Sequence, residues 1–187
     1  MGLDSMKDLY LDQIGDLYSA ETQIIDALPK MVETASHQPL RDGFAKHLTQ
    51  TREHARRLEV IGKRLGQKID NKKCKGMEGL LKEGQEAIKA GGDPSVVDAA
   101  LIAAAQRVEH YEIAGYGCAR TYADVLGRAE DAADLQRTLD EEADTDKKLT
   151  QIAESVVNPD AQRMSQFDRD VTSQRLDQGD RDRPGMR

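Results

Sequence analysis

An all-α fold, an antiparallel four-helix bundle with one long crossover carrying a short extra helix, is what the sequence predicts, and three observations predict it. Apolar residues recur at helical spacing in four long stretches of the 187-residue chain. Aromatic residues are scarce, with five Tyr, two Phe and no Trp, which disfavours a β-rich core. The longest polar connection separates the second stretch from the third, so the helices fall into two hairpins.

The first helix is expected from about Ser5 to Ala35. Ser5 with Asp8 makes a weak capping box, and Tyr10, Ile14, Leu17, Tyr18, Ile25, Leu28 and Val32 form its stripe. Pro29 lies inside this span and predicts a kink or break there. The second helix begins near Pro39, a favoured first-turn residue, and runs through Phe44, Leu48, Ala55, Leu58 and Ile61 to about Gly66. The segment that follows is polar, with one amphipathic stretch from Met77 to Ile88. Asp93 and Pro94 then open the third helix, which Gly127 can stop after Leu126. The fourth carries Leu135, Leu139, Leu149, Ile152 and Val156 and is expected to end at Asn158-Pro159. Two hairpins joined by a long crossover are the ferritin-like arrangement. One domain over 1–159 is therefore expected, and the polar remainder, 160–187, in which six acids balance six arginines, is expected to be a disordered or loosely docked tail.

Charge and cysteine content bound the function. The formal net charge is -7, with acids and bases interleaved, so nucleic acid is not an expected partner. Two cysteines, Cys74 and Cys118, make no disulfide framework and have no zinc-type spacing. The N-terminal residues lack a signal-peptide layout, and no apolar run is long enough to span a membrane. A cytoplasmic location without membrane association is the expectation.

The helical wheel separates decorative acids from inward ones, since each residue advances about 100°. Glu21 lies at the centre of its stripe, and Glu142 near the centre of its own, with Asp146 one turn later on the same face. Glu112 falls close to Val108, Leu101 and Gly115; Glu109 sits at the flank and His110 faces outward. His54 lies near the stripe of the second helix, Gln50 at its border, and Glu53 on the far side. His47, closer still to that stripe, is expected to be a core or interface histidine, while Glu53, Glu109, His110 and Glu141 are expected to be solvated. Tyr18, Tyr111 and Tyr122 are expected to pack.

Several carboxylates facing one core would repel and take up protons unless a cation lay between them. No inward Lys or Arg is apparent at these levels. Spacing points to a bound cation pair. Glu21 to His54 is 33 residues and Glu112 to Asp146 is 34, while Gln50 to His54 and Glu142 to Asp146 are single turns. One donor from each first helix with a one-turn pair from each second helix is the plan of a carboxylate-bridged two-metal site. Glu21, Gln50, His54, Glu109, Glu112, Glu142 and Asp146 are the candidate ligands. Carboxylate and imidazole without thiolate suit iron, as a di-iron site, or manganese. The competing expectation is a metal-free structural or binding module whose inward acids are protonated or bridged by water.

Three segments, LYSAETQIIDALPKM, AALIAAAQRVEHYEIAGYG and LDEEADTDKKLTQIA, resemble the YciE/YciF family of bacterial stress proteins, and the resemblance covers roughly residues 6–157. It implies a ferritin-like fold related to the rubrerythrins, a homodimer, and a role in stress responses; reaction with peroxide or oxygen is the chemistry that the inward acid set, loaded with metal, suggests. It also implies that Glu21, Glu109 or Glu112, and Glu142 sit where a di-iron protein binds metal. Two departures stand out: Gln50 is neutral where a bridging glutamate is usual, and Asp146 stands where a histidine is usual.

Overall fold

A computed structural model describes residues 3–69 and 72–163. The described elements are five helices: α1 (Met6–Thr34), α2 (Gln38–Arg64), α3 (Lys75–Ala90), α4 (Pro94–Val125) and α5 (Ala129–Ile152). A π-helical turn, Ala153–Val157, extends α5, and helical residues continue to 163. No helix among the described residues is long and apolar enough to cross a membrane.

Local chemistry sets the boundaries. The Ser5 hydroxyl accepts from the Asp8 amide at 3.1 Å, and Asp93 accepts from the amides of Ser95 and Val96. These bonds satisfy first-turn donors that have no partner within the helix. Gly66 and Gly127 follow α2 and α4 at φ 63° and 69°, a conformation that glycine adopts without steric cost. An expected break and an expected boundary are overturned. Helix α1 is unbroken through Pro29, whose exposed position lets water solvate the carbonyl that the proline cannot bond. Asn158-Pro159 does not end α5. The Asn158 amide bonds back to the Ala153 carbonyl across the wider π turn, and the chain stays helical beyond the proline. Residues 160–163 are thus helical, and the rest of the expected tail lies outside the described residues.

Helix α1 packs on α2 and α4 on α5, and the two hairpins meet along α1/α4 and α2/α5. Both cross-hairpin pairs are antiparallel. Tyr10 reaches Asp131 while Ser36 reaches Asp98, and Arg64 reaches Asp131 while His47 faces Thr145. The crossover therefore travels the length of the bundle, with α3 laid against α4 and α1.

Two apolar layers fill the interior. One gathers Ile24, Leu28, Phe44, Leu101 and Leu149; the other gathers Ile14, Leu17, Leu58, Tyr116 and Leu135. The inward acids and histidines occupy the level between them.

Candidate metal centre

Six ionisable groups converge at that level: Glu21 from α1, His47 and His54 from α2, Glu109 and Glu112 from α4, and Glu142 from α5. Glu109 is 2% exposed, His47 3%, and the other four 0%, so water cannot screen them. One donor atom from each of His47, Glu109, Glu112 and Glu142 lies within 4.8 Å of the others. The same holds for Glu21, His54 and Glu142. Glu142 belongs to both groups and joins them into one two-lobed cluster.

His54 is held at both ring nitrogens. Its Nε2 meets Glu141 Oε2 at 2.7 Å, and its Nδ1 lies 2.8 Å from Glu142 Oε1 and 3.5 Å from Glu21 Oε1. The Nδ1 approach to Glu142 is close but not aligned as a hydrogen bond. Glu141 is in turn gripped by Arg57 at 2.7 and 3.1 Å. His47 Nε2 lies 3.3 Å from Glu109 and 4.0 Å from Glu142, and its Nδ1 faces the Thr145 hydroxyl. The Tyr116 hydroxyl donates to Glu21.

Many oxygens in the cluster lack a hydrogen-bond partner among the described residues: both of Glu112, both of Glu142, and Oε2 of Glu21 and of Glu109. Such groups are costly to bury unless a proton, a water or a cation meets them. Burial pushes the Glu21 carboxyl up to about 7. Burial, reinforced by neighbouring carboxylates, pushes Glu109 and Glu112 well above the ordinary range. Burial acts the same way on Glu142, but His54 beside it outweighs burial and holds that carboxyl low. For His54, burial disfavours the cation, yet Glu142 and Glu21 raise it to about 10. Burial lowers His47. One imidazolium thus faces four carboxyl groups, and the remaining charge is met by protonation.

Glu21, His54, Glu109, Glu112 and Glu142 come together as the wheel placed them, with Glu109 fully inside instead of solvated. Asp146 stays outside the cluster. It accepts from Gln106 at 3.0 Å, lies 3.4 Å from His110, and remains 21% exposed. Gln50 is half-buried on the wall of a cavity that also touches His47 and Glu109. Donors are therefore distributed one, two, two and one over α1, α2, α4 and α5, instead of repeating one and two in each hairpin.

His47, Tyr116 and Glu141 are the residues that sequence reasoning missed. A signal existed for the first two. His47 is two turns before His54 and Tyr116 one turn after Glu112, each on an inward face. Arg57 also points inward, against the expectation that no cation would, but Glu141 and the Thr138 hydroxyl engage it.

A family model described as a domain of unknown function, DUF892, matches residues 5–162. The chain is 42% identical over 163 residues to protein YciF of Escherichia coli, a match spanning 87% of this chain and 98% of that protein. The crystal structure of the E. coli stress protein YciF superposes with a TM-score of 0.80, over 83% of this chain and 98% of that one. YcfI from Rhodopseudomonas palustris, described as a proposed structural protein, superposes at 0.77 with 41% identity, over 79% and 94% of the two chains. A Xanthomonas campestris protein at 17% identity and TM-score 0.68, over 86% and 99%, shares the fold.

Proposed function

The chain belongs to the DUF892 family, with YciF as a relative, and on that premise we propose that its buried cluster is a dinuclear metal centre for iron or manganese. The observation that carries the proposal is Glu112, fully buried with both oxygens unpartnered among three further carboxyl groups. Two imidazoles and four carboxylates without thiolate form a donor set suited to these ions. His47, Glu109, Glu112 and Glu142 would hold one ion, and Glu21, His54 and Glu142 the other, with Glu142 shared. Such a pair supplies redox electrons close to a reacting oxidant, peroxide or oxygen.

The chain's own residues prepare the site. Glu141, anchored by Arg57, fixes the His54 ring and leaves Nδ1 aimed inward. The Thr145 hydroxyl faces His47 Nδ1 and leaves Nε2 toward Glu109. Tyr116 fixes Glu21. Glu109 and Glu112, protonated in the metal-free protein, release their protons on binding, so uptake strengthens as pH rises. The apolar layers close the cluster above and below, and the cavity that touches His47 and Glu109 reaches it from the side.

Oxidant scavenging in a stress response completes the proposal, together with cytoplasmic residence and a homodimer; the E. coli relative is a stress protein, which supports the setting. The test is peroxide and oxygen consumption by protein loaded with Fe(II) or Mn(II), against Glu112→Gln and Glu21→Gln variants. Turnover by the parent that both variants lose supports the reading. A structural module without metal, a reading that the description of YcfI as a structural protein favours, predicts no turnover and no change in melting temperature on adding either ion.

A further inference from the structure

Beside the ionisable cluster lies a cavity of about 410 Å³, within the ~300–1,000 Å³ range of small-molecule sites. All five helices contribute to it. Its walls are mainly aliphatic, with Leu28 and Met31 from α1, Leu81 and Ile88 from α3, Val108 from α4 and Leu149 from α5. Small residues keep it open: Gly43, Gly84, Ala104 and Ala105 all line it. One stretch of wall is polar, formed by His47, Glu109 and Gln50.

The rim is cationic. Lys46, Lys89 and Lys148 are exposed, line the opening, and make no ion pair or hydrogen bond among the described residues. Of the rim acids, Glu141 is held by Arg57 and Asp144 by Lys147, which leaves Asp26 alone to oppose three lysines. A largely aliphatic chamber whose rim carries more unpaired lysines than unpaired acids complements a molecule with an aliphatic chain and an anionic head.

We infer that the cavity binds a free medium-chain fatty acid, its carboxylate at the lysine rim and its chain along α3 and α4 past His47 and Glu109. The binding site stands on the cavity alone. That the chain is thereby presented to a metal centre rests on the function proposed above.

The test uses full-length, metal-free protein titrated with 11-(dansylamino)undecanoate, followed by dansyl emission and by competition with laurate and with dodecanol. Saturable binding at one probe per chain is expected, with laurate displacing the probe and dodecanol doing so more weakly. Gly84→Leu should cut affinity about tenfold or more, because a Cβ there meets only Ala104 Cβ at 3.5 Å and the added side chain enters the chamber. This change replaces a helical glycine with a better helix former, so the fold is preserved. Gly43→Leu, whose Cβ would lie 3.7 Å from Ile152 Cδ1, is the second filling variant. Lys46→Glu with Lys148→Glu should weaken laurate about two- to fivefold per site, the scale of an exposed ion pair, and leave dodecanol unchanged.

Absence of saturable binding, full affinity in both filling variants, or equal competition by laurate and dodecanol would overturn the inference. Fe(II) uptake, measured on the same preparations, separates the two proposals. Uptake without probe binding defeats the fatty-acid site alone, whereas probe binding without uptake supports that site and removes only its link to a metal.

Discussion

Replacing Glu112 with Gln should stabilise the metal-free protein and destroy its response to metal. Glu112 is 0% exposed, neither carboxyl oxygen has a hydrogen-bond partner among the described residues, and burial first, then Glu21, Glu142 and Glu109, raises its pKa. An amide of the same shape removes the ionisable group and brings two donors toward those carboxyl oxygens. An unsatisfied buried polar group costs about 1–3 kcal/mol, so relief of this one is worth about 2 kcal/mol. At roughly 2–4 °C per kcal/mol for a chain of this size, the melting temperature should rise by about 4–8 °C. The assay is thermal unfolding by far-UV circular dichroism after exhaustive chelation, repeated with Mn(II) or Fe(II). The parent should gain about 2.7 kcal/mol when free metal is a hundredfold above its dissociation constant, and Glu112→Gln should gain little. If the metal-free variant melts below the parent, or if both respond equally to metal, Glu112 is not a buried donor awaiting a cation.

Glu142→Gln should act in the opposite direction on the metal-free protein. It leaves the buried His54 cation without the carboxylate 2.8 Å away, at a cost of about 3 kcal/mol measurable by denaturant melts. Metal-free stability should also fall as pH rises. Burial raises Glu21 to about 7, and His54 stands at about 10 because its carboxylate partners outweigh burial, so the folded state binds more protons than the unfolded one. The Glu21 contribution declines from about pH 4.3 to its raised value, and that of His54 from about pH 6.5 to its raised value. Saturating metal should flatten this slope, as melting curves across pH would show. At the far end of the bundle, Asp98→Asn should cost about 2 kcal/mol, since buried Asp98 accepts from the Ser36 amide and hydroxyl and from the His37 amide, and also pairs with the His37 ring. Burial pushes Asp98 up, but those bonds hold it below the usual range, so its contribution is present above about pH 3.9 and lost as acid protonates it. Bonding to Asp98 raises His37, whose contribution is present below about pH 6.5 and lost as pH climbs through the raised value. The variant should therefore fall furthest below the parent between about pH 3.9 and about pH 6.5, and the gap should narrow toward acid and toward alkali.

The helices were legible because their signals are local. Ser5, Asp93, Pro94 and Gly127 act within one turn of where they stand, and each does what its chemistry predicts. Pro29 and Pro159 misled because the cost of a proline depends on whether water or a π turn can relieve it, which is a property of the surroundings. Glu21, Glu112 and Glu142 were legible by their central position on apolar stripes. Glu109 was harder, because a flanking position becomes interior only once the neighbouring helix is in place. Asp146 shares a face with Glu142 but lies one turn nearer the exposed His110, and a wheel carries no information about depth along the bundle. The role of Glu141 could not be found from its own helix, since Arg57 and His54 reach it from α2.

The most direct test of the central claim is anaerobic titration of the chelated protein with Fe(II), scored by elemental analysis of the ions retained per chain. Two ions per chain in the parent, with fewer in Glu112→Gln, is the predicted result. Retention well below one ion per chain would contradict the metal centre and leave the six buried groups as a protonated network in a structural bundle.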